Sequence, residues 1–452
     1  MKNSSLLLVI LTTVSFFIIS CSKNETATNP NTSSVASCEG CHTNYAQLKL
    51  VFTPDSITGG SSCGGETPHY EPYERVFING NGFDAFKKSS HYKIGCVGCH
   101  NGDGDTDDKK KAHSGSFLAH PTFTQADSKC RSCHSDEVDR HKNSLHQMGW
   151  GQKRKVCLRM GLKDASEYDK LPQTIKDGYE FNCAKCHAAT CGDCHINRPM
   201  AMGGGLMNGH QFIAKPDMIN TCVGCHTSRG GHAFLGVGSG TKPDVHLTKA
   251  NYTCVSCHSK DEIHGTGKFV EQRYKYDQLP KCVNCHPNLE TKNQYHAVHF
   301  NTFSCQTCHS QTYNNCGSCH INGHGSRIPS YMDFKIGVNP IPDAKPGFKF
   351  ALVRRALAAP DEWELYGFTS QPNFNAVPVY NYTSPHNILR WTERTQVANG
   401  KPCFDACHIV KEDTTLRNKK WFLFKSDLQL DYEKSSSSGI SVDDKVPQNW
   451  LK

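Results

Sequence analysis

Residues 181–197 read Phe181-Asn182-Cys183-Ala184-Lys185-Cys186-His187-Ala188-Ala189-Thr190-Cys191-Gly192-Asp193-Cys194-His195-Ile196-Asn197 and hold one triplet, Cys-x-x-Cys-His, twice. Its two histidines are eight residues apart, so even a fully extended chain separates them by at most roughly 28 Å. Working outward, the triplet recurs at Cys38/Cys41/His42, Cys96/Cys99/His100, Cys130/Cys133/His134 and Cys222/Cys225/His226. It appears again at Cys254/Cys257/His258, Cys282/Cys285/His286, Cys305/Cys308/His309 and Cys316/Cys319/His320, ten copies in all. With cysteine and histidine each at about 5% of the chain, on the order of 0.1 copy is expected by accident.

This spacing is that of c-type haem attachment. Two thiols within one helical turn can add across the two vinyl groups of one porphyrin, and the adjacent histidine is then placed to ligate iron. Zinc also takes Cys and His ligands, but ten such triplets in an exported chain point to haem c. Cys403-Phe404-Asp405-Ala406-Cys407-His408 is an irregular copy with one extra residue between the cysteines. It reads as an eleventh haem site, the alternative being a disulfide or free thiols beside a chance histidine. Cys63 and Cys157 are left over and could pair in an oxidising compartment.

The second axial ligand decides whether an iron relays electrons or meets a substrate. Fourteen histidines lie outside the motifs: His69, His91, His113, His120, His141, His146, His210, His232, His246, His264, His296, His299, His324 and His386. That supplies eleven irons with three to spare, whereas methionine numbers eight, so bis-histidine ligation is expected. His386 is available to His408. His232 and His264 each follow a motif histidine by six residues, too short a loop to wrap the same haem, and are expected to serve a neighbouring one.

The expected fold is mainly irregular, with short α-helices organised around stacked covalent haems and a smaller, partly β C-terminal region. Residues 1–20 read as a signal peptide, 21–37 as a lipidated N-terminus and polar tether, 38–326 as a decahaem domain and 327–452 as a C-terminal domain. From Arg327 the texture changes to large residues such as Trp363, Tyr366, Phe368, Trp391, Trp421 and Phe424. The paired motifs at 181–197 recur in kind at Phe303-Ser304-Cys305 through Cys316-Gly317-Ser318-Cys319-His320-Ile321-Asn322, as duplication of a haem-pair module would give. An apolar fraction of 37% is low for this length, which suits a core whose apolar surface is largely porphyrin.

Lys2 and the apolar run Leu6–Ile19 form an export signal too short to remain as a membrane span. Ile18-Ile19-Ser20-Cys21 resembles a bacterial lipobox, so Cys21 is expected to carry a lipid anchor in the cell envelope, at the outer membrane; an ordinary cleavage site beside a free cysteine is the alternative. Several acyl chains give stable attachment where one is marginal. The net charge of +8 is scattered, and no basic run interleaved with aromatics supports nucleic-acid binding. Asp103-Gly104-Asp105-Thr106-Asp107-Asp108 lacks the glycine and terminal glutamate of a calcium loop and reads as a solvated acidic turn. No phosphate loop, Ser-His-Asp grouping or paired-carboxylate motif suggests hydrolysis.

Phe181 to His320 is similar to large multihaem cytochromes of respiratory bacteria, including the octahaem tetrathionate reductase-like group. The likeness rests on Cys222-Val223-Gly224-Cys225-His226-Thr227-Ser228-Arg229, Pro243-Asp244-Val245-His246, Cys254-Val255-Ser256-Cys257-His258 and Cys305-Gln306-Thr307-Cys308-His309-Ser310-Gln311. It implies electron transfer with redox partner proteins and a small-molecule or mineral acceptor. Reductases of that group keep one haem with a distal side that is open or held by a non-histidine ligand. No residue here maps to such a ligand. The expectation is therefore a conduit for anaerobic or extracellular respiration; the alternative is a terminal reductase of a nitrogen or sulfur oxyanion, with the basic charge aiding capture.

Overall fold

The computed structural model describes residues 36–56, 60–62, 65–122, 129–186, 190–313, 321, 323–324, 333–397, 401, 403–412 and 414–446. Cys21, Cys63, His187, Cys316, Cys319 and His320 lie outside them, as does the side chain of Cys403. The fold is mixed, with many short helices and one small antiparallel sheet of three strands.

The motifs themselves make many of the helices. Cys38–His42, Cys96–His100 and Cys305–His309 are single five-residue turns, and Cys254–Cys257 and Cys282–Cys285 are four-residue ones. Cysteines three apart, with a histidine one residue on, share one face of such a turn. A helix this short is marginal by itself, so its caps matter. The Ser37 hydroxyl accepts from Gly40 N at 2.9 Å. At the start of Cys254–Cys257, Thr253 N donates to the Ser256 hydroxyl at 3.0 Å. The third, fourth, sixth and irregular motifs instead sit in 3-10 or π-helical turns. The two longest helices, Trp150–Arg159 and Gln173–Asn182, have ten residues each. No described helix is long and apolar enough to cross a membrane.

Apolar packing is concentrated where the Cys-x-x-Cys-His triplets are sparse. Gln173–Asn182 buries Ile175 and Tyr179 with Cys157, Leu171 and Trp363. Gly178 is required there, because a Cβ would stand 2.8 Å from the Tyr366 ring and 2.9 Å from Trp363. Cys157 is a free thiol at the centre of this cluster, and burial pushes it up to about 12. Beside it, the Arg159 guanidinium donates to Glu362 at 3.0 Å, both side chains being 7% exposed or less.

The sheet lies beyond residue 333. Phe334–Val338 pairs antiparallel with Phe350–Arg355, which pairs antiparallel with Tyr380–Tyr382. The central strand buries Phe350 to Val353 in succession, so both its faces are covered. Its registers run Ile336 against Leu352 and Val353 against Tyr382.

This region does not stand apart from the helical one. Phe350 exchanges backbone hydrogen bonds with Thr302 and Ser304 at 2.8 and 3.0 Å. Residues 386–394 thread between Asp244–Val245 and the motif helix Cys305–His309. Val245 N donates to Ile388 O and Leu389 N to His309 O, each at 2.8 Å. Thr392 Oγ1 donates to Cys308 O at 2.6 Å and Arg394 Nε to Thr307 O at 2.6 Å. Carbonyls at the end of a short helix lack internal partners, and here the downstream chain supplies them. The acidic run 103–108 closes on itself: Asp103 accepts from Asp105 N, and Asp108 caps Lys109–Ala112.

Candidate cofactor-binding centres

Nine motif histidines each face one histidine from outside the motifs. The ring centres of His42 and His113 are 6.2 Å apart, His100 and His210 6.1 Å, His134 and His91 6.3 Å. His195 and His264 are 6.1 Å apart, His226 and His146 6.2 Å, His258 and His386 6.2 Å. His286 and His246 stand at 5.9 Å, His309 and His296 at 6.1 Å, His408 and His299 at 5.9 Å. Every pair is one motif and one non-motif histidine.

The separations span 5.9–6.3 Å while the interplanar angles run from 19° to 85°. Direct packing behaves differently: His91 lies on Phe212 at 4.0 Å and 2°. A fixed distance with free rotation is what one atom between two rings would impose. With metal–nitrogen bonds of about 2.0–2.1 Å, ring centres fall about 6.3 Å apart. Each such pair of imidazoles would therefore fit a metal ion held between them, as in haem iron.

Electrostatics and hydrogen bonding agree with that fit. Burial holds His42, His100, His146, His264, His309 and His408 below the ordinary imidazole range and brings His210 down to about 4. A neutral ring is the ligating form. Nδ1 is anchored in many rings: His42 to Val76 O at 3.1 Å, His100 to Leu118 O at 2.8 Å, His195 to Ile213 O at 2.6 Å and His309 to Leu389 O at 3.2 Å. His113 and His299 use the carbonyls four residues earlier, each at 2.9 Å. Such bonds fix the tautomer and leave Nε2 as the donor. Two rings use carboxylates instead: His246 with Asp244 at 2.8 Å and His258 with Glu262 at 2.8 Å.

The thiols show which motifs adjoin. Cys96 lies within hydrogen-bonding reach of Cys38, Cys191 of Cys130, Cys222 of Cys254 and Cys282 of Cys305. Burial and then Cys130 raise Cys99; burial and then Cys285 raise Cys257; burial and then Cys308 raise Cys407. Cys194 neighbours Cys222. Taken by first cysteine, the order in space is 38, 96, 130, 191, 222, 254, 282, 305, 403. Cys186 of the 183 motif touches Cys225, so that motif branches from the middle of the run.

Several expectations meet this arrangement differently. Of the motif cysteines, Cys96, Cys133, Cys257, Cys282 and Cys285 are exposed. Cys133 departs furthest from the regular pattern. It follows the 3-10 turn Lys129–Ser132 instead of lying inside an α-helical one, and its sulfur accepts from the Ser132 hydroxyl at 3.9 Å.

His264 faces His195, which belongs to a motif other than the one His264 follows. His386 was expected opposite His408 but faces His258, because the 386–394 segment is pinned beside Asp244; His299 faces His408. His69, His232 and His324 face no described motif histidine at this spacing. His141 is buried against Ser144 at 3.2 Å, and His69 contacts Glu71 at 3.2 Å. His324 is exposed beside Asp361 and Glu364. The motif histidines His187 and His320 lie outside the described residues. Asp244 and Glu262 were missed in sequence, although Asp-x-His and His-x-x-x-Glu are readable spacings.

No protein-family model, characterised protein or solved structure matches the chain.

Proposed function

We propose that this protein is a multihaem c-type cytochrome that passes electrons along a run of bis-histidine centres. The observation carrying the proposal is the set of nine motif/non-motif histidine pairs at 5.9–6.3 Å. In each centre the two motif cysteines would bind haem covalently and the two histidines would take both axial positions. Haem so held supplies a one-electron ferric/ferrous couple. The chain's own part is to bring the two imidazoles of each pair together and, in rings such as His42, His100 and His309, to bury them toward the neutral form and hold Nδ1 on a backbone carbonyl. The continuous adjacency of motifs from Cys38 to Cys407 favours conduction over a single reaction site.

The proposal places the protein in the cell envelope of a respiring bacterium, exported and held by a lipid at Cys21, with redox proteins at the ends of the run. The irregular motif is included as the eleventh site. Intact mass of the denatured holoprotein should exceed that of the processed chain by eleven haems, and the Cys403→Ala/Cys407→Ala variant by ten. A wild-type mass with no covalent haem would overturn the proposal.

A further inference from the structure

Most anchored rings in the run donate Nδ1–H to a neutral backbone carbonyl. Among the described residues, His246 and His258 alone of the nine pairs have a carboxylate at Nδ1. Both Glu262 oxygens lie within 2.8–2.9 Å of His258 Nδ1, and Asp244 Oδ1 lies 2.8 Å from His246 Nδ1. The carboxylates are deeply buried, Asp244 2% and Glu262 6% exposed. Among the described residues each has its histidine as sole ion-pair partner. Neither is free to swing away. Asp244 also accepts from His246 N and, through Oδ2, from Ile388 N, both at 2.8 Å. Glu262 sits in a turn whose Ser259 hydroxyl accepts from Glu262 N at 3.1 Å. The two centres are neighbours, since Cys257 adjoins Cys285 and Cys282.

A buried carboxylate accepting from Nδ1 draws the imidazole toward imidazolate and makes it a stronger donor. Stronger donation and nearby negative charge favour the ferric over the ferrous state, and low local dielectric enlarges the effect. Resting on the haem reading above, we infer that Glu262 and Asp244 are positioning residues that make the His258/His386 and His286/His246 centres the low-potential section of the run.

The test is a spectroelectrochemical titration of the holoprotein, with wild type, Glu262→Gln and Asp244→Asn compared. Either amide can still accept from Nδ1, so the ligand stays in place while the charge is lost. In each variant one component at the low-potential end should move up, its ferrous-to-ferric ratio at fixed potential rising at least tenfold. For a one-electron couple that is about 59 mV. The low-spin resonance of that centre should shift while the haem mass stays unchanged. Titrations superimposable on wild type, with the full haem complement present, would overturn the assignment. The two substitutions remove bonds to different imidazoles, His258 and His246, so a variant that fails to assemble leaves the other to decide. A wild type without covalent haem would instead overturn the underlying reading, before either variant is compared.

Discussion

The ring of His299 stands 5.9 Å from that of His408 at an interplanar angle of 85°, although the two positions are 109 residues apart in sequence. His296, one turn earlier in the helix Gln294–His299, faces His309. One six-residue helix thus serves two neighbouring centres, and the Asn293 side chain caps it by accepting from Tyr295 N and His296 N at 3.0 and 2.9 Å. Replacing His299 by Ala should leave covalent haem unchanged and open one iron, giving one high-spin haem that binds carbon monoxide when reduced. His386→Ala should open a different iron, so the double variant should bind two equivalents. Unchanged spin state in His299→Ala would show that another residue faces His408.

Removing one member of the Arg159–Glu362 pair should be costly. Glu362 also accepts from Gln371 at 2.9 Å, and its loss leaves a guanidinium buried without a counter-charge. Breaking such a pair typically costs about 3–5 kcal/mol. Glu362→Ala should lower the urea midpoint followed by circular dichroism accordingly, whereas Arg159→Met/Glu362→Leu should recover most of the loss. Equal losses in both would mean that packing, not charge, sets the effect.

Cys157 should be inert in the folded protein. Its thiol is fully buried and raised to about 12, so at pH 8 about 10⁻⁴ of it is thiolate. Iodoacetamide at pH 8 should leave it unmodified until denaturant is added, and should then label it without prior reduction. Labelling that needs a reductant after unfolding would reveal a disulfide.

The motif turns were legible because cysteine and histidine spacing within five residues is a local property. The change of texture at Arg327 likewise foretold the sheet and its apolar clusters. Pairing was not legible. Partners lie from 13 residues apart (His296 and His309) to 128 (His258 and His386), and they fall on either side of the motif they face. What selects them is the threading of segments such as 386–394, where Asp244, Thr307 and Cys308 fix the backbone. Counting histidines gave a supply of candidate ligands; only the packed chain pairs them. The exposure of Cys133 and its four counterparts was equally hidden, since spacing fixes which residues share a turn but not which way the turn faces. The two carboxylates escaped notice because, without pairing, nothing distinguished them from surface acids.

The central claim is that histidines occupy both axial positions of the haems. Low-temperature electron paramagnetic resonance of the oxidised holoprotein, before and after adding nitrite, tests it most directly. The account predicts low-spin ferric signals throughout and no change on adding the anion. A high-spin signal of one haem per chain that shifts with nitrite would contradict it and point to a reductase.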